Sequence, residues 1–162
     1  MIGVYPDSPD LTEIERPSSW FAWHAHRIRA GSRVLDLASG TGRHALAAAG
    51  LGAKVTAVDK DSATLDIGRK EAKTRGLVVT WLEADLTAGI PDIGNFDAIL
   101  IFDYLDRAAM PKILERVAPG GILIPKRDAI WAAVVDGPEE YARVVDCWEK
   151  NSLQQNLTAA RR

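Results

Sequence analysis

Apolar residues along this chain fall into two kinds of run that take turns. Val34, Leu35 and Leu37, then Lys54 to Val58 (KVTAV), Leu77 to Glu83 (LVVTWLE) and Phe96 to Phe102 (FDAILIF) are short stretches rich in aliphatic, β-branched and aromatic residues. Such runs form strands buried in a parallel sheet. Between them the apolar spacing becomes helical. An alanine-rich stretch follows Arg43, and a second runs from an Asp61 cap through Ala63, Leu65 and Ala72 to a stop at Gly76. A third carries Pro111 in its first turn and is predicted to end at Pro119-Gly120-Gly121, before a fifth strand. Upstream, Ser19 can cap a helix in which Trp20, Trp23 and Ile28 recur at helical spacing, Arg27 and Arg29 suit the C-terminus, and Gly31 ends it. Strands alternating with crossover helices imply a parallel sheet. Right-handed crossovers give the order 3-2-1-4-5, a three-layer, doubly wound α/β domain.

The ends of the chain read differently. Residues 1 to 17 carry Pro6, Pro9 and Pro17 among polar residues and are expected to form an extended N-terminal arm. One domain covers residues 18 to 150. After Pro125 the run Ile130 to Val135 reads as one further edge strand or a helical turn. Pro138 to Lys150 is predicted to be a helix, with Glu139 and Glu140 in its first turn and Tyr141, Val144, Val145 and Trp148 on one face. Residues 151 to 162 lack periodicity and form a tail.

Composition narrows the class. At 162 residues a single core suffices. Twenty basic against 22 acidic residues give a net charge of −2, which offers no overall attraction to nucleic acid or anionic lipid. Cys147 is the only cysteine, the start lacks a secretory pattern, and no apolar stretch approaches 18 residues, so the chain reads as cytoplasmic. His24 and His26 do not share a helical face, Cys147 has no neighbouring base, and no metal site is expected. His44 reads as an ordinary helix-face histidine, with contact to a ligand as the alternative.

The chemistry gathers at Arg33 to Ala49, where the first strand meets an acidic residue and then a glycine loop. Asp36 interrupts the aliphatic run where burial of a carboxylate is costly, which marks it as a candidate site residue. Gly40 and Gly42 remove Cβ atoms where the backbone must turn and approach a ligand, and the next helix offers free N–H groups. Gly40-Thr41-Gly42-Arg43-His44-Ala45 also satisfies the dinucleotide fingerprint, so the glycines alone leave a nicotinamide-dependent oxidoreductase open. Asp36 weighs against that reading, because a pyrophosphate would be repelled there and a cationic ligand would not. Asp59 ends the second strand nineteen residues after Gly40, the place for a carboxylate that accepts from both ribose hydroxyls.

Asp36-Leu37-Ala38-Ser39-Gly40-Thr41-Gly42 resembles the first motif of the class I S-adenosylmethionine-dependent methyltransferases, D/E-x-G-x-G-x-G, with Ala38 in place of the first glycine. Ala84-Asp85-Leu86 resembles their third motif, while Phe96-Asp97-Ala98-Ile99 and Ala118 to Ile124 resemble the segments around strands four and five. The agreement spans about residues 18 to 125. The resemblance implies a Rossmann-like fold, S-adenosylmethionine as cofactor and methyl transfer to a small-molecule acceptor by direct in-line displacement. It assigns Asp36, Ala38, Ser39, Gly40, Gly42, Asp59 and Lys60 to cofactor binding, Asp85 and Leu86 to adenine, and Asp103 and Tyr104, after strand four, to the acceptor and catalysis. It also implies that Trp20 or Trp23 covers the site, although core packing is the simpler expectation for both. The family's final antiparallel strand pair is not found here. Either the sheet is shortened or its edge is covered in a homo-oligomer, and a cofactor-binding module without catalysis is an alternative function.

Overall fold

The computed structural model describes residues 16–102, 109–125 and 133–135. Its elements run α1 (Ser19–His24), a 3-10 turn (Ala25–Arg27), β1 (Arg33–Leu37), α2 (Arg43–Gly50), β2 (Lys54–Asp59) and α3 (Ser62–Arg75). Then come β3 (Val79–Glu83), a second 3-10 turn (Leu86–Ala88), β4 (Phe96–Ile101), α4 (Met110–Leu114), β5 (Val117–Pro125) and β6 (Ala133–Val135). The sheet order is β3-β2-β1-β4-β5-β6. The first five strands are parallel in the predicted order, and β6 adds antiparallel to β5 within the run expected to hold one more edge strand. The expected arm except its last two residues, Asp103 and Tyr104, the helix Pro138 to Lys150 and the tail lie outside the described residues.

Strand β1 is central because its side chains are buried on both faces. Leu35 and Leu37 pack on one side with Ile99, Ile101, Ile113 and Leu123, and Val34 packs on the other with Ala45, Ala48, Leu100 and Ile124. Helix α3 keeps its predicted ends. Asp61 caps it by accepting from the amides of Ala63 and Thr64, and Gly76 stops it in the left-handed region at φ 68°.

Two expectations change. The N-terminal helix is capped one residue earlier, by Ser18 Oγ accepting from Phe21 N (3.2 Å), and it tightens into a 3-10 turn after His24. Trp20 packs against the core while Trp23 is 75% exposed, because the shorter helix turns only one of them inward. Pro119-Gly120-Gly121 does not end α4, which stops at Leu114, but lies inside β5. There the register shifts between Phe96, opposite Val117, and Ala98, opposite Ile122, so the extra residues form a bulge with Gly120 at φ 73°. A Cβ on Gly121 would meet Ala118 O at 2.7 Å and Asp97 O at 3.0 Å, which explains the second glycine.

Candidate functional site

The loop between β1 and α2 is built on alternating left-handed residues. Ala38 has φ 54°, Gly40 58° and Gly42 84°, and Ala38 is the single non-glycine with positive φ among the described residues. Ala38 therefore keeps the backbone conformation that a glycine would hold more cheaply, by on the order of 1–2 kcal/mol. The loop is tied to its neighbour strand by Ser39 N donating to Val58 O (3.0 Å) and is closed by Gly42 N donating to Ser39 O (3.0 Å).

Asp59, at the end of β2, holds this loop in place. Its Oδ2 accepts from Gly40 N at 2.9 Å and its Oδ1 from Asp61 N at 3.0 Å, while its own carbonyl accepts from Ala84 N at 2.9 Å. One residue thus joins the carboxyl ends of β1, β2 and β3. Each carboxylate oxygen retains further lone-pair capacity, as a carboxylate offers about four acceptor sites.

These ends enclose a cavity of about 310 Å³ lined by Ala38, Gly40, Asp59, Lys60, Ala84, Asp85, Leu86 and Thr87. Its size lies in the range of small-molecule sites. A Cβ built on Gly40 meets nothing within 4 Å, so the missing side chain leaves open space at the loop. Asp85 caps the short turn Leu86–Ala88, its Oδ1 accepting from Thr87 N (2.9 Å) and Thr87 Oγ1 (2.7 Å). Those bonds, the hydroxyl's first, hold the Asp85 carboxyl below the usual range. Leu86 is buried and supplies an apolar wall.

Six of the residues predicted to bind the cofactor therefore meet at one cavity, and three do not line it. Asp36 is buried, 2% exposed, in β1 on the α2 side of the sheet with Val34. Ser39 is buried in the loop's own hydrogen bonds. Gly42 meets a packing demand: a Cβ there would lie 2.5 and 2.7 Å from Trp81 ring atoms. The same ring end blocks a Cβ on Gly68 in α3, so Trp81 sits in a notch between two glycines.

His44, read from the sequence as an ordinary helix-face histidine, is buried in the structure. Its side chain is 2% exposed, stacked on Phe102 at 3.9 Å and 19° and hydrogen-bonded through Nε2 to Ser18 N at 3.1 Å. Burial, with the Arg43 charge beside it, lowers its pKa to about 3. Thr87 was foreseeable, since Asp-x-Thr is a local capping pattern in which the aspartate accepts from the residue two positions on. His24 is buried with neither ring nitrogen hydrogen-bonded, and burial followed by Arg27 and His26 lowers its pKa. Among the described residues no helix is long and apolar enough to cross a membrane, and no three His, Cys, Asp or Glu side chains cluster as metal ligands.

Fold and cavity together define a doubly wound α/β domain with a ligand crevice at the carboxyl ends of its strands, beside the switch point between β1 and β4. Residues 34–121 match the methyltransferase domain family, and the chain belongs to it. Ribosomal protein L11 methyltransferase of Thermus thermophilus is 37% identical over 99 residues, which cover 60% of this chain and 39% of that protein. Demethylmenaquinone methyltransferase of the same species is 41% identical over 104 residues, covering 59% and 47%. Coclaurine N-methyltransferase bound to N-methylheliamine and S-adenosylhomocysteine has a solved structure that aligns with a TM-score of 0.60 at 25% identity, over 75% of this chain and 38% of that one. The chain thus spans 39 to 47% of the length of these curated relatives.

Proposed function

We propose that this domain binds S-adenosylmethionine in the cavity between the glycine loop, Asp59 and the Asp85–Thr87 turn, and transfers its methyl group to a small-molecule acceptor. The observation that carries the reading is the open space beside Gly40, one hydrogen bond from Asp59. The residues present suit the group. Asp59 is aimed by two backbone amides and keeps acceptor capacity for two ribose hydroxyls. Leu86 and Ala84 offer an apolar surface to a purine, and Asp85 can accept from its exocyclic amine, though its Oδ1 already carries the two Thr87 bonds. Lys60 lines the same cavity, and its charge helps to keep Asp85 ionised. Asp36, buried at the loop's base, favours a cationic ligand over a pyrophosphate.

When bound, S-adenosylmethionine would supply an electrophilic methyl on a sulfonium, with a neutral thioether as the leaving group displaced as the acceptor's lone pair forms the new bond. The protein's task is to align the two reactants and exclude water. Asp103 and Tyr104, which follow Phe102 beyond β4 in the sequence, are assigned to orienting the acceptor and removing its proton. A small-molecule acceptor is favoured by the demethylmenaquinone relative, whereas the ribosomal-protein relative keeps a protein acceptor as the competing outcome.

Thermal melts with S-adenosylhomocysteine, NAD or no ligand test the cofactor, because a ligand that binds only the folded state raises the midpoint. Stabilisation by NAD alone would overturn the reading in favour of an oxidoreductase. Turnover with radiolabelled S-adenosylmethionine across small-molecule and protein acceptors tests the chemistry. Tight cofactor binding without transfer to any of them would leave a binding module.

A further inference from the structure

We propose that His44 is a positioning residue that ties the N-terminus of α1 and the end of β4 to the first turn of the glycine-loop helix, so that ligand binding at the loop is transmitted to both. The inference rests on the reading of the adjacent cavity as the cofactor site.

Three elements meet at one imidazole. Nε2 accepts from Ser18 N at 3.1 Å, across 26 residues of sequence, and lies 3.2 Å from Ser18 Oγ. That hydroxyl in turn accepts from Phe21 N and caps α1. One face of the ring stacks on Phe102, and Phe21 leans against it with centroids 5.4 Å apart. Phe102 is the residue immediately before Asp103 and Tyr104, so the stack fixes the stem of the segment assigned to the acceptor. On the other side, only Arg43 separates His44 from Gly42.

Stacking on Phe102 and Phe21 asks only for an aromatic ring, so the ring contacts alone do not account for a histidine. What the imidazole adds is an acceptor for the amide of a cap residue, a donor that no bond within the helix can satisfy. A neutral ring is required for that role, and burial keeps His44 neutral. Close-packed interiors shift between discrete arrangements rather than deform smoothly, so a ligand that settles residues 38 to 42 settles the ring, Ser18 and Phe102 with them.

Amide hydrogen exchange followed by NMR, with and without S-adenosylhomocysteine, tests this in the full chain. The Phe21 and Ala22 amides report on α1, and the Leu123 amide in β5 serves as the reference for global stabilisation. In the wild type the ligand should slow Phe21 and Ala22 at least tenfold more than Leu123. In His44→Phe, which keeps the stack and loses the acceptor, this excess should fall below threefold while S-adenosylhomocysteine affinity stays within threefold. His44→Gln, which keeps an acceptor, should recover part of it. Should His44→Phe not fold, Ser18→Pro removes the donor instead, and the Ser18 φ of −63° suits proline. Because it also removes the hydroxyl that caps Phe21 N, the Ala22 amide, bonded to the Ser18 carbonyl, is the reporter in that variant. An undiminished excess in either variant, or no excess in a wild type that binds the ligand, overturns the proposal. A wild type that binds no ligand overturns the reading of the cavity itself.

Discussion

The two loop glycines should fail in different ways. Gly42 has φ 84°, and an added Cβ would lie 2.5 Å from the Trp81 ring, about 1 Å inside normal carbon contact. Strain of about 1–2 kcal/mol for a left-handed alanine and about 1–3 kcal/mol for overpacking together predict that Gly42→Ala costs roughly 2–5 kcal/mol. At about 3 °C per kcal/mol for a chain of this size, Tm falls by about 6–15 °C. Gly40 has φ 58° but no atom within 4 Å of the added Cβ, so Gly40→Ala meets the backbone term alone and loses about 3–6 °C. Its methyl group instead enters the space assigned to the cofactor, and S-adenosylhomocysteine affinity should fall at least tenfold, about 1.4 kcal/mol. Differential scanning fluorimetry and calorimetry on both variants separate the effects. Adding Trp81→Leu to Gly42→Ala should recover part of the lost stability, because the two side chains compete for one volume, and it should do nothing for Gly40→Ala. Equal destabilisation by both alanines with unchanged affinity in Gly40→Ala would refute the assignment of one glycine to packing and the other to the ligand.

Asp59→Ala should weaken S-adenosylhomocysteine binding by about 1.5–3 kcal/mol, the range for hydrogen bonds to a charged group, and calorimetry showing no change would remove Asp59 from the site. Asp103→Asn should leave that affinity within about threefold, roughly 0.6 kcal/mol, while turnover on an identified acceptor drops by on the order of 10², and undiminished turnover in both Asp103→Asn and Tyr104→Phe would show that these residues do no chemistry. Stability should fall as the solution is acidified below pH 6.5. His44, with its folded pKa near 3, takes up a proton far more readily when unfolded, so its contribution is present above pH 6.5 and shrinks toward pH 3. Between pH 7 and pH 5 this amounts to about 2 kcal/mol in urea titrations, and a His44→Phe variant with the wild-type pH dependence would contradict it. His24, also lowered, acts in the same direction.

What the sequence made legible was whatever depends on neighbours along the chain. Short, largely aliphatic runs identified β1 and β4, an aspartate and a glycine marked the ends of α3, and the spacing from Gly40 to Asp59 located the carboxylate that now binds the Gly40 amide. Three features were not legible because the partner that shapes each lies far away in sequence. Gly42 is shaped by Trp81, and His44 by Ser18 and Phe102. Pro119-Gly120-Gly121 has the composition of a turn, and only its pairing with β4 makes it a bulge inside a strand. Helical spacing showed that Trp20 and Trp23 belong to one helix, but which ring turned inward depended on where that helix tightened after His24.

The parallel sheet sets the order in which function can emerge during folding. Arg33 at the start of β1 pairs with Lys54 in β2, and its amide bonds to Asp97 Oδ2, 64 residues away. The cavity requires the ends of three such strands at once, together with a turn that follows the third. It has no local precursor: a nascent chain released before Thr87 carries the glycine motif but no compartment for a ligand. Because non-local pairing must meet its loop-closure entropy before any contact compensates for it, closure of this sheet is a slow event in folding. A ligand that holds β1, β2 and β3 together therefore acts on the late, long-range part of that process, and its principal effect should be on the rate of unfolding.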